Sequence, residues 1–211
     1  MTSDKLQIIL ASASPRRAHL LHEMGLRFVV ICPNEVEELT GGTAPDVVAM
    51  QNAQRKARAV AGRHPHSMVL GADTIVVLNG KIFGKPRDRD EAGRMLEQLE
   101  GRQHEVITAV CLVHRSLDTE LTFADRTRVW MRSLTQSEVT DYLNQIDPLD
   151  NASGKYDYSE NWQKTHGFLS WAGAYAIQHG DIIERIEGSY NNVVGLPTER
   201  LQATLERLGM L

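Results

Sequence analysis

The sequence predicts an α/β protein, and three observations carry the prediction. An apolar run at residues 8–10 ends in small, hydroxylated residues and passes into a helical pattern at a proline. Strand-like and helix-like segments then alternate through the first hundred residues. Two long strand-like stretches, about 105–114 and 120–131, follow before helical spacing returns.

The opening stretch Ile8-Ile9-Leu10-Ala11-Ser12-Ala13-Ser14-Pro15-Arg16-Arg17 reads as strand, loop and helix. Such an element aims backbone N–H groups and the positive helix end outward, which suits an anion. Arg16 and Arg17 add charges able to bond phosphate oxygens bidentately. An ordinary first strand and helix with surface arginines is the plainer alternative. The helix, residues 15–24, carries Ala18, Leu20, Leu21 and Met24, with Gly25 where a C-terminal cap belongs. His19 and His22 lack a third nearby ligand and read as solvated. Residues 28–31 read as a buried second strand.

The loop Asn34-Glu35-Val36-Glu37-Glu38 is acidic. It is either a solvated loop or, beside a phosphate pocket, a recruiter of Mg²⁺. Residues 45–62 form a helix with Pro45 at its first position and Val48, Ala49, Ala53, Ala57, Val60 and Ala61 as its apolar face. Its basic side carries Arg55, Lys56 and Arg58, and a solvated face is the reading for Arg55 and Arg58.

Residues 68–78 make the strongest strand signal, and Asn79-Gly80 then signals a two-residue hairpin to 81–83. Within that strand sits Asp73. A carboxylate in so apolar a run is costly to bury unless paired, hydrogen-bonded or on a metal, which favours a functional group over a strand-end cap. Gly84-Lys85-Pro86-Arg87-Asp88 is a tight basic loop before a helix at 91–99 ended by Gly101. It lacks the spacing of a Walker A loop.

The strand at 120–131 alternates as a half-exposed antiparallel strand does. Thr135-Gln136-Ser137-Glu138 is a capping box that opens a helix. Residues 147–170 break the rhythm with Tyr156, Tyr158, Trp162 and Phe168 among polar residues, and a loop of that length is functional or mobile. A strand at 182–186, a glycine-bounded loop at 188–197 and a final helix on Leu201, Leu205 and Leu208 close the chain.

At 211 residues the chain fits one large domain or two small lobes. Its 42% hydrophobic and 24% charged content is that of an ordinary globular protein, and a net charge of −4 supplies no field for sequence-independent nucleic-acid binding. No window approaches the ~18 apolar residues of a membrane span, and the N-terminus has no signal-peptide layout. Cys32 and Cys111 form no metal-type pair, so the simplest reading is a cytoplasmic protein with two buried thiols.

Seven blocks, in order, resemble the Maf-like nucleotide pyrophosphatases. They are Ser12-Ala-Ser14-Pro-Arg16-Arg17, Val36-Glu37-Glu38, Arg55-Lys56-Ala57, Gly71-Ala-Asp73-Thr74-Ile75-Val76, Lys85-Pro86-Arg87-Asp88, Ala172-Gly-Ala-Tyr175-Ala-Ile-Gln178, and Gly188-Ser-Tyr190 through Gly195-Leu-Pro197. The resemblance implies a Maf/ITPase-like fold: one domain of two lobes, a mixed elongated sheet with helices around it, and a central cleft. It also implies a cytoplasmic hydrolase that cuts nucleoside triphosphates between the α- and β-phosphates, dependence on a divalent cation (Mg²⁺ or Mn²⁺), and a homodimer in many members.

By the same resemblance, Ser12, Arg17, Lys56 and Lys85 hold phosphate oxygens. Glu38 helps place the metal. Asp73 is the catalytic aspartate, either as the base that activates water or as a metal ligand. Arg16, Thr74 and Gln178 match the branch acting on dTTP and UTP rather than on methylated GTP. One departure stands out. The family's lysine before the Ala-Gly-Ala-Tyr block is replaced by Trp171, behind about twenty extra residues and an aromatic insertion at about 150–171. Either Lys155 or Lys164 substitutes for it, or the insertion is a lid or dimer contact. A non-catalytic nucleotide-binding regulator of septum formation is the alternative function. An RNA-binding module is disfavoured by the acidic balance.

Overall fold

The computed structural model describes residues 7–33, 36–145, 172–177 and 181–211. The insertion at about 150–171, with Lys155, Lys164 and Trp171, lies outside the described residues, as does Gln178. The elements run β1 (Ile8–Ala11), α1 (Pro15–Glu23), β2 (Phe28–Val30), α2 (Pro45–Ala61), β3 (Met68–Leu78), β4 (Lys81–Phe83), α3 (Arg89–Leu99), β5 (Gln103–His114), β6 (Thr119–Met131), α4 (Gln136–Gln145), β7 (Ile183–Glu187), α5 (Tyr190–Val194) and α6 (Thr198–Arg207). Among the described residues seven strands form one sheet in the order β2-β1-β3-β5-β6-β7, with β4 paired to β3. It is mixed: β1 lies parallel to β2 and β3, while β4 on β3 and β7 on β6 are antiparallel. The expected α/β class with a mixed sheet is therefore what the chain adopts. Among the described residues, no helix is long and apolar enough to cross a membrane.

Local chemistry explains the element ends. Gly25, at φ +72°, follows α1, where the Leu26 N–H bonds the Leu21 carbonyl 3.2 Å away. Asn79 and Gly80 both take positive φ, as a two-residue hairpin turn with the twist of its strands requires. The Thr135–Glu138 box is reciprocal, the Thr135 N–H donating to Glu138 Oε2 at 2.7 Å and the Glu138 N–H to Thr135 Oγ1 at 3.2 Å. With Arg132 these bonds hold the Glu138 carboxyl down at about 2. Asp88 caps α3 through the Glu91 N–H, so that helix begins at Arg89, earlier than its apolar spacing indicates.

Contacts divide the chain into two compact units, residues 1–74, 107–125 and 191–211 in one, and 75–106 and 126–190 in the other. In the first, β3 is buried on both faces up to Asp73, as expected of a strand with β1 on one side and β5 on the other. β2 departs from the expected buried strand. It is three residues long at the sheet edge, and Val29 is 41% exposed, because β1 covers one side of it alone. Cys111 is buried, but Cys32, just beyond that edge, is only half-buried, so the expectation of two buried thiols holds for one. The expected loop at 188–197 contains the short helix α5, bounded by Gly188 and Gly195 at φ +126° and +130°.

In the second unit, the segment 172–177 is pinned at several points. The Gly173 N–H donates to the Gly84 carbonyl at 3.0 Å, Tyr142 Oη accepts the Ala176 N–H at 3.0 Å, and Tyr175 Oη meets His104 Nε2 at 2.6 Å. Burial drives the His104 imidazole down to about 4, so the folded state holds it neutral. The unfolded chain binds that proton first, at the ordinary value near 6.5. The stability His104 provides is therefore complete above that value and is lost as the pH falls from there toward 4. Urea unfolding is expected to show about 2 kcal/mol less stability at pH 5 than at pH 8 from this group. A His104→Phe protein lacks that increment of slope; an unchanged slope would remove His104 from the account.

Candidate active site

The site grows from one close approach in the first unit. Gly71 and Asp73 lie two apart on β3 and so share a face of the sheet. That face meets α2 so tightly that a Cβ at Gly71 would stand 2.4 Å from the Ala53 carbonyl oxygen and 2.6 Å from the Ala57 nitrogen. Only glycine permits this contact. It delivers the two polar side chains on the buried face of α2, Asn52 and Lys56, to Asp73.

Lys56 Nζ donates to Asp73 Oδ1 at 2.6 Å and also lies 2.6 Å from Glu38 Oε1. Asn52 Nδ2 donates to the other Asp73 oxygen, Oδ2, at 3.1 Å. Asp73 is thus 5% exposed with both carboxylate oxygens hydrogen-bonded, the pairing that its burial in an apolar strand demands. Arg55 and Arg58 face outward as expected. Arg58 pairs with Glu120, and Arg55 reaches the Glu37 carbonyl.

Arg17 is 8% exposed, buried with Pro15 and Ala18 on the inner side of α1. Its Nε donates to the Gly195 carbonyl at 2.9 Å, Nη1 to Ser12 Oγ at 3.1 Å and Nη2 to Thr74 Oγ1 at 2.9 Å. All three acceptors are neutral oxygens. Burial pulls the guanidinium down from its ordinary value, while the more distant Asp73 and Glu38 push it back up. Two of its five N–H groups, one on each terminal nitrogen, remain for a ligand among the described residues. A buried cation with neutral contacts and spare donors is suited to an anion. Arg16 is half-buried beside it on α1.

The hydroxyls behind Arg17 have a determined polarity. Thr108 Oγ1 lies 2.8 Å from the Asn192 carbonyl, which can only accept, so Thr108 spends its one proton there. The 3.0 Å contact between Thr74 and Thr108 must then use the proton of Thr74. With Arg17 also donating to it, Thr74 keeps a lone pair and no proton for a ligand.

Seven of the residues singled out from the sequence thus fall in the first unit: Ser12, Arg16, Arg17, Glu38, Lys56, Asp73 and Thr74. Lys85 is exposed in the second unit, on the loop joining β4 to α3. Sequence reasoning missed Asn52, Thr108, Asn192 and the Gly195 carbonyl. Asn52 left a trace, a polar residue one turn before Lys56 on an apolar helix face. Thr108, flanked by apolar residues in β5, left a weaker one.

Two cations and two carboxylates drawn from four segments of an α/β sheet protein make up the candidate site, a set of groups suited to a phosphate. A sequence model of the Maf-like protein family matches residues 7–159 and 155–208, and the chain belongs to that family. It is 41% identical over 212 aligned residues to the dTTP/UTP pyrophosphatase of Myxococcus xanthus (strain DK1622), covering 100% of this chain and 96% of that protein. It is also 38% identical to the dTTP/UTP pyrophosphatase of Geobacillus sp. (strain WCH70), covering 96% and 98% of the two chains. The protein of the same name from Geotalea uraniireducens (strain Rf4) is 39% identical, with 100% of each chain covered.

Proposed function

We propose that this chain is a nucleoside triphosphate pyrophosphatase that hydrolyses dTTP and UTP to the monophosphate and pyrophosphate, clearing them from the nucleotide pool. The observation that carries the proposal is the Arg17–Lys56–Asp73–Glu38 cluster, in which buried cations keep donors for phosphate beside a buried carboxylate. The full-length relatives supply the substrate names. No observation favours the non-catalytic regulator.

Hydrolysis joins a water oxygen to the α-phosphorus and breaks its bond to the oxygen bridging to the β-phosphate, which leaves on pyrophosphate. Asp73 orients the water and takes its proton. An ammonium has three N–H donors. Lys56 spends two on Glu38 and Asp73, and the third is available to a phosphate oxygen. Arg17 offers one N–H from each terminal nitrogen, the bidentate fork that matches a phosphate. Ser12 Oγ accepts from Arg17 and from the Ser14 N–H at 3.2 Å, so its own proton points to the ligand. These groups sit in place before charge develops on the leaving pyrophosphate. We assign Lys85 to the phosphates as well, and Gln178 and Arg16 to the base.

The donor set fits a divalent cation. Two carboxylates, Glu38 and Asp73, converge on one ammonium, and no third acidic, histidine or cysteine side chain joins them among the described residues. Mg²⁺ takes one or two protein carboxylates and completes its shell with phosphate oxygens and water. When bound, it would supply charge neutralisation at the phosphates. The reading carries with it a cytoplasmic location, where nucleoside triphosphates are kept, and a homodimer as the assembly to measure.

The polarity of Thr74 supports the choice of base. Uracil and thymine present a donor at N3, whereas cytosine presents an acceptor, and Thr74 has only a lone pair to offer. Thr108→Val releases the Thr74 proton, and the preference for UTP over CTP is expected to fall by about fivefold, the worth of one hydrogen bond. Thr108→Ser is expected to retain it. Pyrophosphate release from dTTP, UTP, CTP and methyl-GTP with Mg²⁺ or Mn²⁺ tests the whole reading. Absence of turnover would end it, and a preference for methyl-GTP would overturn the base assignment.

A further inference from the structure

We infer that Asn52 is a positioning residue that holds Asp73 and the loop bearing Glu38 as one unit, independently of Lys56. Asn52 is 2% exposed, and its amide is used on both sides. Oδ1 accepts the Leu39 N–H at 2.8 Å, while Nδ2 donates to the Leu39 carbonyl at 3.0 Å and to Asp73 Oδ2 at 3.1 Å. The orientation of the amide is unambiguous, because the Leu39 N–H can only donate and so requires the oxygen. Both Nδ2 protons are thereby committed.

Leu39 directly follows Glu38, so the same short side chain that grips one oxygen of Asp73 anchors the backbone next to the other carboxylate. Lys56 also joins Glu38 to Asp73, but through a flexible four-carbon stem and a charge that a phosphate competes for and a bound cation repels. Asn52 carries no charge and has no such competitor. Lying one helical turn from Lys56 on the same face of α2, it keeps the two carboxylates at their separation whenever the ammonium turns to substrate. Its role matches that of residues that orient metal-ligating carboxylates from behind, whose loss costs metal affinity or activity by about 10–100-fold.

The inference rests on the reading of Asp73 and Glu38 given above, and the test separates the two. Asn52→Leu and Asn52→Ala are compared with the parent and with Asp73→Asn, measuring UTP turnover and, without nucleotide, Mn²⁺ binding by electron paramagnetic resonance. Both Asn52 variants are expected to lose about tenfold or more in kcat with KM for UTP within about twofold, and to bind Mn²⁺ at least about fivefold more weakly. A merely structural role predicts a lower unfolding midpoint with kcat per folded molecule and Mn²⁺ affinity unchanged, and that result overturns the inference. If Asp73→Asn abolishes turnover while both Asn52 variants keep it, the inference alone fails; if Asp73→Asn keeps turnover, the reading beneath it fails. In the parent protein the Leu39 amide hydrogen is expected to exchange slowly, and more slowly with Mg²⁺ present. Rapid exchange at Leu39 overturns the inference whether or not the variants fold.

Discussion

Asp73→Asn is expected to lower UTP turnover by ~100-fold or more while leaving a folded protein. The two effects have separate causes. Turnover falls because a carboxamide cannot accept the proton of the attacking water. The loss of stability is limited, because Lys56 keeps Glu38 as its partner when Asp73 loses its charge. One mismatch remains. Lys56 Nζ approaches Oδ1 and Asn52 Nδ2 approaches Oδ2, so the new amide must turn its NH₂ toward one donor or the other. A buried donor left without an acceptor costs about 1–3 kcal/mol. Steady-state pyrophosphate release and urea unfolding on the same preparation separate these terms, and a turnover near the parent's would exclude Asp73 as the proton acceptor.

Gly71→Ala is expected to have the largest effect on stability of any single methyl added to this protein's described glycines. The new Cβ would meet the Ala53 carbonyl oxygen at 2.4 Å, the Ala57 nitrogen at 2.6 Å and the Ala57 Cβ at 2.9 Å. Two of the three are helix backbone, which cannot rotate away. β3 and α2 must separate, at about 3 kcal/mol or more, which for a chain of this size lowers the melting temperature by roughly 6–12 °C. Activity should fall further than stability, since the shift withdraws Asn52 and Lys56 from Asp73. Gly62→Ala is the control. Gly62 has helical φ, and its added Cβ would meet only the Arg58 carbonyl oxygen at 3.7 Å. That change is expected to be neutral or slightly stabilising, by about 0.4–1 kcal/mol. Equal melting temperatures for the two variants would show that α2 and β3 tolerate the intrusion.

Both expectations concern residues that stand out in the sequence, but for different reasons. Asp73 is legible because an ionisable group inside Val69-Leu70-Gly71-Ala72 and Thr74-Ile75-Val76-Val77 conflicts with its surroundings. Gly71 is visible only as a glycine in a strand, and the tightness of its contact with Ala53 and Ala57 cannot be read from spacing. Asn52 shows the same limit: its place on an apolar helix face marks it, yet its partners, Leu39 and Asp73, lie 13 and 21 positions away. Thr108 and Asn192 conform to ordinary local patterns and left little to find.

What the sequence determined by itself was local: Pro15 and Pro45 opening helices, Gly25 and Gly101 ending them, Asn79-Gly80 turning the hairpin, and the Thr135–Glu138 box. These depend on backbone dihedrals and neighbours a few residues apart, so short-range chemistry settles them. The tertiary structure decided which distant groups meet. The guanidinium of Arg17 finds its acceptor 178 residues away at Gly195, β2 lies at a half-exposed edge, and Lys56 lies between Glu38 and Asp73. A buried polar group must be satisfied by whatever packing brings alongside it. The need is therefore written in its own stretch of chain, and the partner is not.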